Sequence, residues 1–181
     1  KVFPIFRAGA ARSAGIRYCA GSMRGESILN KRVVITGMGA ITPIGTGKEA
    51  FWNAMMEGKN GIGRITRFDP EGFHAQIAGE VKDFDPTDYL DKKESKRMDR
   101  YTQFAVATAG MAIKDAGLDL EKENLERIGT YVGTGIGGIE TMHSQYEKYF
   151  AKGPSRISPF FVPMMIANMA AGQVSIEYKL H

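Results

Sequence analysis

The sequence predicts an α/β fold in which helices cover both faces of a sheet. Short runs rich in β-branched residues alternate with longer segments whose apolar residues recur every three or four positions. Alternating strands and helices form layered structures, because each apolar sheet face needs a helix to cover it. The length of 181 residues fits one domain or a large part of one.

Local signals in the first half of the chain predict two strands and a helix. Residues 32–36 (RVVIT) form a β-branched run ended by Gly37 and Gly39, which predicts a buried strand. A helix is predicted from residue 46 or 47 to about residue 57. The irregular segment that follows contains one further predicted strand, residues 77–81.

The second half is predicted to hold three helices and one more strand. Small and apolar residues at helical spacing predict a long helix over residues 92–116, with Gly117 as its C-cap. Residues 128–132 predict a strand, and residues 139–150 predict the helix that follows. Residues 163–176 are apolar with small side chains, which predicts a buried helix.

The basicity of the chain belongs to its N-terminal tail. Residues 1–28 hold five basic side chains and one acidic one, and the remaining 153 residues hold 19 of each. A neutral body does not favour a general nucleic-acid surface.

Residues 1–30 are expected to be a disordered or non-native extension: either a presequence-like tail or upstream DNA translated ahead of a start at Leu29. Residues 31–181 form the predicted domain.

Composition also limits the cysteine and histidine chemistry of the chain. Cys19 is the single cysteine, so an internal disulfide framework is excluded. His74, His143 and His181 lie far apart without a ligand pattern, so no metal site is predicted. No apolar run approaches the length that crosses a bilayer.

Residues 133–138 (GTGIGG), here called the glycine loop, are open to two interpretations. Gly133, Gly135 and Gly138 have the G-x-G-x-x-G spacing between a predicted strand and a predicted helix, as in dinucleotide-binding modules. The acid that such modules place about twenty residues further on is absent from residues 152–157. The other interpretation is a tight turn that needs close backbone approach.

Five motifs, in order, resemble the β-ketoacyl-acyl carrier protein synthases, specifically the elongating synthases II. They are residues 33–39 (VVITGMG), 42–45 (TPIG), 96–99 (KRMD), 133–138 (GTGIGG) and 158–163 (SPFFVP, here called the SPFF segment). The resemblance implies a thiolase-like fold, layered αβαβα, of which this chain would be the truncated first half. The segments flanking the glycine loop are then expected beside the first strand in a parallel sheet.

The resemblance also implies the chemistry of fatty acid chain elongation. Such enzymes carry out a decarboxylating Claisen condensation of an acyl-enzyme with malonyl-acyl carrier protein. No cofactor is implied, because acyl groups arrive on the phosphopantetheine of the carrier protein. The family's nucleophilic cysteine, in a Thr-Ala-Cys context, and two histidines are expected beyond His181. No catalytic residue is therefore expected within this chain, and Cys19 lacks the required context.

Two functional contributions are carried over from the family to residues of this sequence. Ile136 resembles the residue that gates acyl-chain entry, and Phe161 resembles one that reaches the acyl pocket of the other subunit. Lys93, Lys96 and Arg97 align with positions that dock acyl carrier protein, whose acidic surface a basic cluster would steer. The alternatives are core residues for the first pair and a solvated helix start for the cluster.

The implied partners are acyl carrier protein and a second copy of the enzyme, with no nucleic acid and no membrane. The implied setting is the bacterial cytoplasm. A further hypothesis is a catalytically inactive, chain-length-factor-like half that pairs with another polypeptide, as in polyketide systems.

Overall fold

The computed structural model describes residues 2–7 and 32–181 of the chain. Its strands are β1 (Val2–Arg7), β2 (Val34–Thr42), β3 (Gly45–Thr46), β4 (Ile62–Arg64) and β5 (Ile77–Gly79). Its α-helices are α1 (Lys48–Met56), α2 (Lys92–Ser95), α3 (Arg100–Asp115), α4 (Ile139–Lys152), α5 (Phe161–Met165) and α6 (Met169–Tyr178). The predictions for α1, β5 and α4 are confirmed, with ends within two residues of those predicted.

Strand β2 is the centre of a three-stranded antiparallel sheet, with β1 and β3 as its neighbours. It continues through Gly37 and Gly39, where the sequence predicted that the strand would end. The parallel neighbours expected for this strand are therefore not formed. Strand β1 lies in the tail that was expected to be disordered, and the remainder of that prediction concerns residues outside the described ranges.

The backbone of β2 lies directly against α3 at two glycines. A β-carbon built on Gly37 would lie 2.5 Å from the Ala116 amide nitrogen. One built on Gly39 would lie 2.9 Å from the Met111 β-carbon. Both distances are shorter than such atoms approach, so glycine is required by packing at both positions.

Helix α3 also packs against α6 and forms the main core. Val106 and Ala170 are fully buried, and Val174 lies beside them. The Tyr178 hydroxyl donates a hydrogen bond to the Val106 carbonyl at 3.1 Å, and burial raises the pKa of Tyr178. The other buried members of this core are Leu90, Met98, Ala105 and Leu180.

The single helix predicted over residues 92–116 is in fact two helices, α2 and α3. Helix α2 closes at Lys96, and the Asp99 side chain accepts a hydrogen bond from the Tyr101 amide at 3.4 Å. An aspartate in this position satisfies the free N–H groups of a new helix, so the chain restarts rather than continues. The predicted end of the helix is right within one residue, but the C-cap is Ala116, and Gly117, predicted as the cap, follows it with φ +62°.

The helix predicted over residues 163–176 is also divided, into α5 and α6. The Tyr101 hydroxyl donates to the Ile166 carbonyl at 2.6 Å. The Gly138 amide donates to the Met165 carbonyl at 2.9 Å. These bonds from distant parts of the chain take the place of helical hydrogen bonds at the break.

The strand predicted at residues 128–132 is wrong, because this segment is irregular in the structure. Strands β1 and β3 are the neighbours of β2, so the segment joins no strand ladder. Ile128 and Val132 pack on the core instead. Both residues line an apolar cavity of about 480 Å³ between α3 and residues 128–133. Within the described ranges, no helix combines the length and apolar composition needed to cross a membrane.

We expect Gly39→Ala to lower the free energy of unfolding by about 1–3 kcal/mol, because the new methyl group overpacks the contact with α3. Denaturant unfolding measures the change. Gly63→Ala is the control, since a β-carbon there meets nothing within 4 Å. Equal stability of the two variants would contradict the close packing of β2 on α3.

Candidate functional site

The glycine loop is a tight turn that leads into α4. The Gly137 amide donates to the Thr134 hydroxyl at 3.2 Å. Gly137 has φ +80°, a conformation that favours glycine, and both Gly137 and Gly138 are buried. The tight-turn interpretation of the loop is therefore confirmed.

The loop docks on the end of α5. A β-carbon on Gly137 would lie 2.7 Å from the Met165 carbonyl oxygen, and one on Gly138 would lie 2.9 Å from the Met165 α-carbon. At Gly133 and Gly135 an added β-carbon meets nothing within 4 Å. Packing thus requires the last two glycines of the loop and leaves the first two unconstrained.

This contact brings the two predicted acyl-pocket residues into neighbouring segments. Ile136 lies two residues before the Gly138 amide that donates to Met165, and Phe161 begins the helix that ends at Met165. The Ile136 side chain is 65% exposed, so it is not an ordinary core residue. Phe161 is half-buried.

The SPFF segment is held by a buried side chain of α4. The Gln145 side-chain oxygen accepts a hydrogen bond from the Ser158 amide at 2.8 Å, and Gln145 is buried. Ser158 then orders the turn into α5, because its hydroxyl accepts from Phe160 N and its carbonyl accepts from Phe161 N. The position of Phe161 therefore depends on α4.

The predicted basic cluster begins at a capped helix. The Asp91 carboxylate accepts hydrogen bonds from the amides of Lys93 at 2.7 Å and Glu94 at 3.2 Å. These two donors lower the pKa of Asp91, with the Lys93 charge adding to the effect. An ionised cap at the start of α2 holds Lys93 on the surface, and Lys96 follows at the end of the helix, also exposed.

The structure divides the basic cluster into two parts. Arg97 pairs with Glu94 at 3.2 Å and places its guanidinium 5.0 Å from the centre of the Phe160 ring. In the described part of the chain, Lys93 and Lys96 form no ion pair. Arg97 thus ties α2 to the SPFF segment, whereas the two lysines present their charges to solvent.

Two buried polar residues of the site, Asp99 and Gln145, escaped prediction. The Asp99 carboxylate accepts a hydrogen bond from the Thr141 amide at 2.8 Å, across 42 residues of sequence. An aspartate ahead of a helical apolar pattern is a recognised N-cap signal, so the capping of α3 by Asp99 could have been predicted from the sequence. Nothing in the sequence marks the distant bond, and a glutamine such as Gln145 is usually exposed.

The histidines lie on the surface of the structure. His74, His143 and His181 are all exposed. Cys19 lies outside the described ranges. His143 lies 3.5 Å from Glu147 on the surface of α4.

The nucleotide-binding interpretation of the glycine loop is not supported. A phosphate cradle needs backbone N–H groups that point at the ligand. Here the Gly137 amide bonds Thr134, the Gly138 amide bonds Met165, and the Thr141 amide bonds a carboxylate. Three of the donors that a phosphate at this helix start would use are thus already engaged.

A family comparison identifies the class of protein. The family model described as "Beta-ketoacyl synthase, N-terminal domain" matches residues 30–181. The chain therefore belongs to the β-ketoacyl synthase family, as its five motifs predicted.

Comparison with individual proteins shows which members of the family the chain resembles. The chain is 52% identical over 148 residues to a 3-oxoacyl-[acyl-carrier-protein] synthase 2 of Staphylococcus aureus, covering 82% of this chain and 36% of that protein. It is 54% identical over 147 residues to the same-named protein of Synechocystis, covering 81% and 35%. The chain thus spans about a third of the length of these relatives.

A solved structure confirms the predicted fold class. The ishigamide ketosynthase/chain length factor matches with a TM-score of 0.74 and 34% identity, over 81% of this chain and 37% of that one. The α/β, thiolase-like prediction is thus correct, although the pairing of individual strands differs from the one expected.

We expect Gly138→Ala to destabilise the chain by about 1–3 kcal/mol, because the new methyl group meets the α5 backbone. Gly135→Ala is the matched control in the same loop and is expected to leave the melting temperature unchanged. Thermal unfolding of both variants checks this. A destabilised Gly135→Ala beside a native-like Gly138→Ala would contradict the docked loop.

Proposed function

We propose that residues 31–181 are the N-terminal part of an elongating 3-oxoacyl-acyl carrier protein synthase, which extends fatty acids by two carbons. The observation that carries the proposal is the identity of 52–54% to two synthases of that name across the whole body of the chain. The docked glycine loop supports it, because the loop presents Ile136 on the surface beside the segment that carries Phe161.

The proposed reaction has two stages. A cysteine thiolate takes the acyl group from carrier protein as a thioester. Malonyl-acyl carrier protein then loses carbon dioxide, and the carbanion equivalent attacks the thioester carbonyl, so that a carbon–carbon bond forms and the thiolate leaves. The developing oxyanions need fixed donors. The cysteine and two histidines of this reaction would lie outside residues 31–181. No cofactor is proposed, since the phosphopantetheine of the carrier protein delivers the acyl groups.

The contribution of this region is proposed to be the acyl entrance. Ile136 gates the chain, which agrees with its exposure in the glycine loop. Phe161 reaches toward the acyl pocket across the interface of a homodimer. Apolar walls suit a fatty chain, because each buried methylene group is worth about 0.8 kcal/mol.

Lys93 and Lys96 are proposed to dock acyl carrier protein. Both charges face solvent, Lys93 in the capped first turn of α2 and Lys96 at its end, where they can steer an acidic partner. Arg97 belongs to the same docking surface by its alignment, and its stacking on Phe160 gives it a second role in holding the SPFF segment. The proposed setting is the bacterial cytoplasm, in keeping with the bacterial relatives.

An inactive, chain-length-factor-like half is the second candidate, because the matched ishigamide structure contains a ketosynthase and a chain length factor. A condensation assay on the complete protein that carries residues 31–181 separates the two candidates. The synthase forms a 3-oxoacyl product from acyl- and malonyl-carrier protein without a second polypeptide, whereas an inactive half forms none.

In the complete synthase, we expect Lys93→Glu with Lys96→Glu to weaken binding of acyl carrier protein about tenfold or more, because two attractive charges become repulsive. Affinity measured at low and high salt checks this, since salt screens exposed charges and should narrow the difference.

The control for the docking variant is Lys59→Glu with Lys148→Glu, which gives the same change in net charge. Lys59 lies between α1 and β4 and Lys148 lies on α4, and both are exposed. Both double variants should melt at the wild-type temperature. Equal carrier-protein affinity of the two would contradict docking at α2.

In the complete synthase, we expect Ile136→Phe to slow transfer of long acyl chains by about tenfold or more, because the larger ring narrows the entrance. Rates with short and long acyl-carrier proteins check this, and the short chain should be less affected. Ile139→Phe is the control, also exposed but beyond the loop on α4. If Ile136→Phe and Ile139→Phe change the ratio of long-chain to short-chain transfer rates equally, the gating role of Ile136 is refuted.

A further inference from the structure

Asp99 stands apart among the buried side chains. Of the polar residues buried in the described part of the chain, it is the one with an ionisable side chain. One carboxylate oxygen accepts from the Tyr101 amide at 3.4 Å, within its own helix α3. The other accepts from the Thr141 amide at 2.8 Å, in the first turn of α4. A buried carboxylate is thus shared between two helix N-termini, each of which favours negative charge.

The second of these bonds lies at the base of the glycine loop. Helix α4 begins directly after Gly138, and Thr141 lies in its first turn. A β-carbon built on Gly138 would lie 3.1 Å from the Asp99 carboxylate oxygen. The carboxylate therefore sits against the last residue of the loop, two residues from Ile136.

The same residue is also close to the docking surface. Lys96 and Arg97 lie three and two residues before Asp99 in sequence, and the Arg97 guanidinium lies over the Phe160 ring of the SPFF segment. The loop in turn rests on Met165 at the end of that segment's helix. The buried Asp99 carboxylate thus lies between the elements proposed to bind the carrier protein and those proposed to line the acyl entrance.

We infer that Asp99 is a positioning residue that fixes the glycine loop and so sets the place of Ile136 at the acyl entrance. This inference rests on the proposed function. Because the Asp99–Thr141 bond is buried and charge-assisted, it restrains the loop more than a solvated hydrogen bond would. Loss of the bond should loosen the loop and impair acyl entry without altering chemistry that needs no acyl chain.

The competing explanation is that Asp99 merely caps α3. Serine is as good a cap as aspartate but has a single side-chain oxygen on a shorter stem. Asp99→Ser therefore keeps the cap and loses the bond to α4. Asp115→Asn is the control, because Asp115 lies at the other end of α3 and its carboxylate likewise accepts a backbone hydrogen bond, from the Met38 amide at 3.0 Å.

The first test measures amide hydrogen exchange in the 181-residue chain. In Asp99→Ser, the Thr141 amide should exchange about tenfold faster or more, while the Tyr101 amide keeps its protection. Asp115→Asn should leave Thr141 unchanged. An unchanged Thr141 amide in Asp99→Ser overturns the inference. If the serine variant fails to melt cooperatively, Asp99→Asn, which keeps the side-chain volume, replaces it in the same comparison of both amides.

The second test compares two activities of the complete synthase. Asp99→Ser should reduce acyl transfer from a long acyl-carrier protein about tenfold, chiefly through kcat, and leave decarboxylation of malonyl-carrier protein within about twofold of wild type. Asp115→Asn should change neither. Equal loss of both activities, or wild-type acyl transfer, overturns the positioning role. If the wild-type protein shows neither activity, the proposed function fails, and the exchange test still judges the Asp99–Thr141 bond.

Discussion

The close contact between α3 and β2 is the constraint on which the rest of the structure depends. Glycine at positions 37 and 39 lets the two backbones meet, which fixes the distance and the rotation of α3 relative to the sheet. With one face of the helix committed to β2, the opposite face is left for α6 and the residues around Val106. The N-terminus of α3 therefore has a fixed position. The hydrogen bond from the Thr141 amide to the Asp99 carboxylate then fixes the start of α4 relative to α3.

The geometry of the candidate site is determined by the packing of the elements around it rather than by the side chains of the glycine loop itself. The glycine loop has few side-chain atoms, so its position comes from the backbone of α5 beneath it and from Asp99 beside it. The loop therefore exposes Ile136 while its last two glycines are packed against other backbone. If Ile136 lines the entrance proposed above, this packing fixes the loop before the chain binds and so reduces the entropy lost on binding.

The sequence was sufficient for the class of fold, for α1 and α4, and for the motifs of the site. Apart from the extent and pairing of β2, it failed at three places, and the reasons are physical. Residues 128–132 have strong strand propensity, but propensity does not supply a neighbouring strand. The helix over residues 163–176 is interrupted by bonds from Tyr101 and Gly138, which local pattern cannot reveal. Asp99 could have been recognised as the cap of a new helix. The helical spacing of apolar residues on both sides of it instead favoured one continuous helix.

Arg97 shows how charge alone gives an incomplete account of a site. Three basic residues close together in sequence, Lys93, Lys96 and Arg97, suggested a single docking surface. The Arg97 guanidinium, however, lies over the Phe160 ring, while the two lysines face solvent. Arginine suits this divided position because its planar group stacks on an aromatic ring and still keeps its charge and donors. A lysine at position 97 would preserve the electrostatic field and lose the stacking contact. The identity of this residue, beyond the sign of its charge, therefore follows from its contact with Phe160, which joins α2 to the SPFF segment.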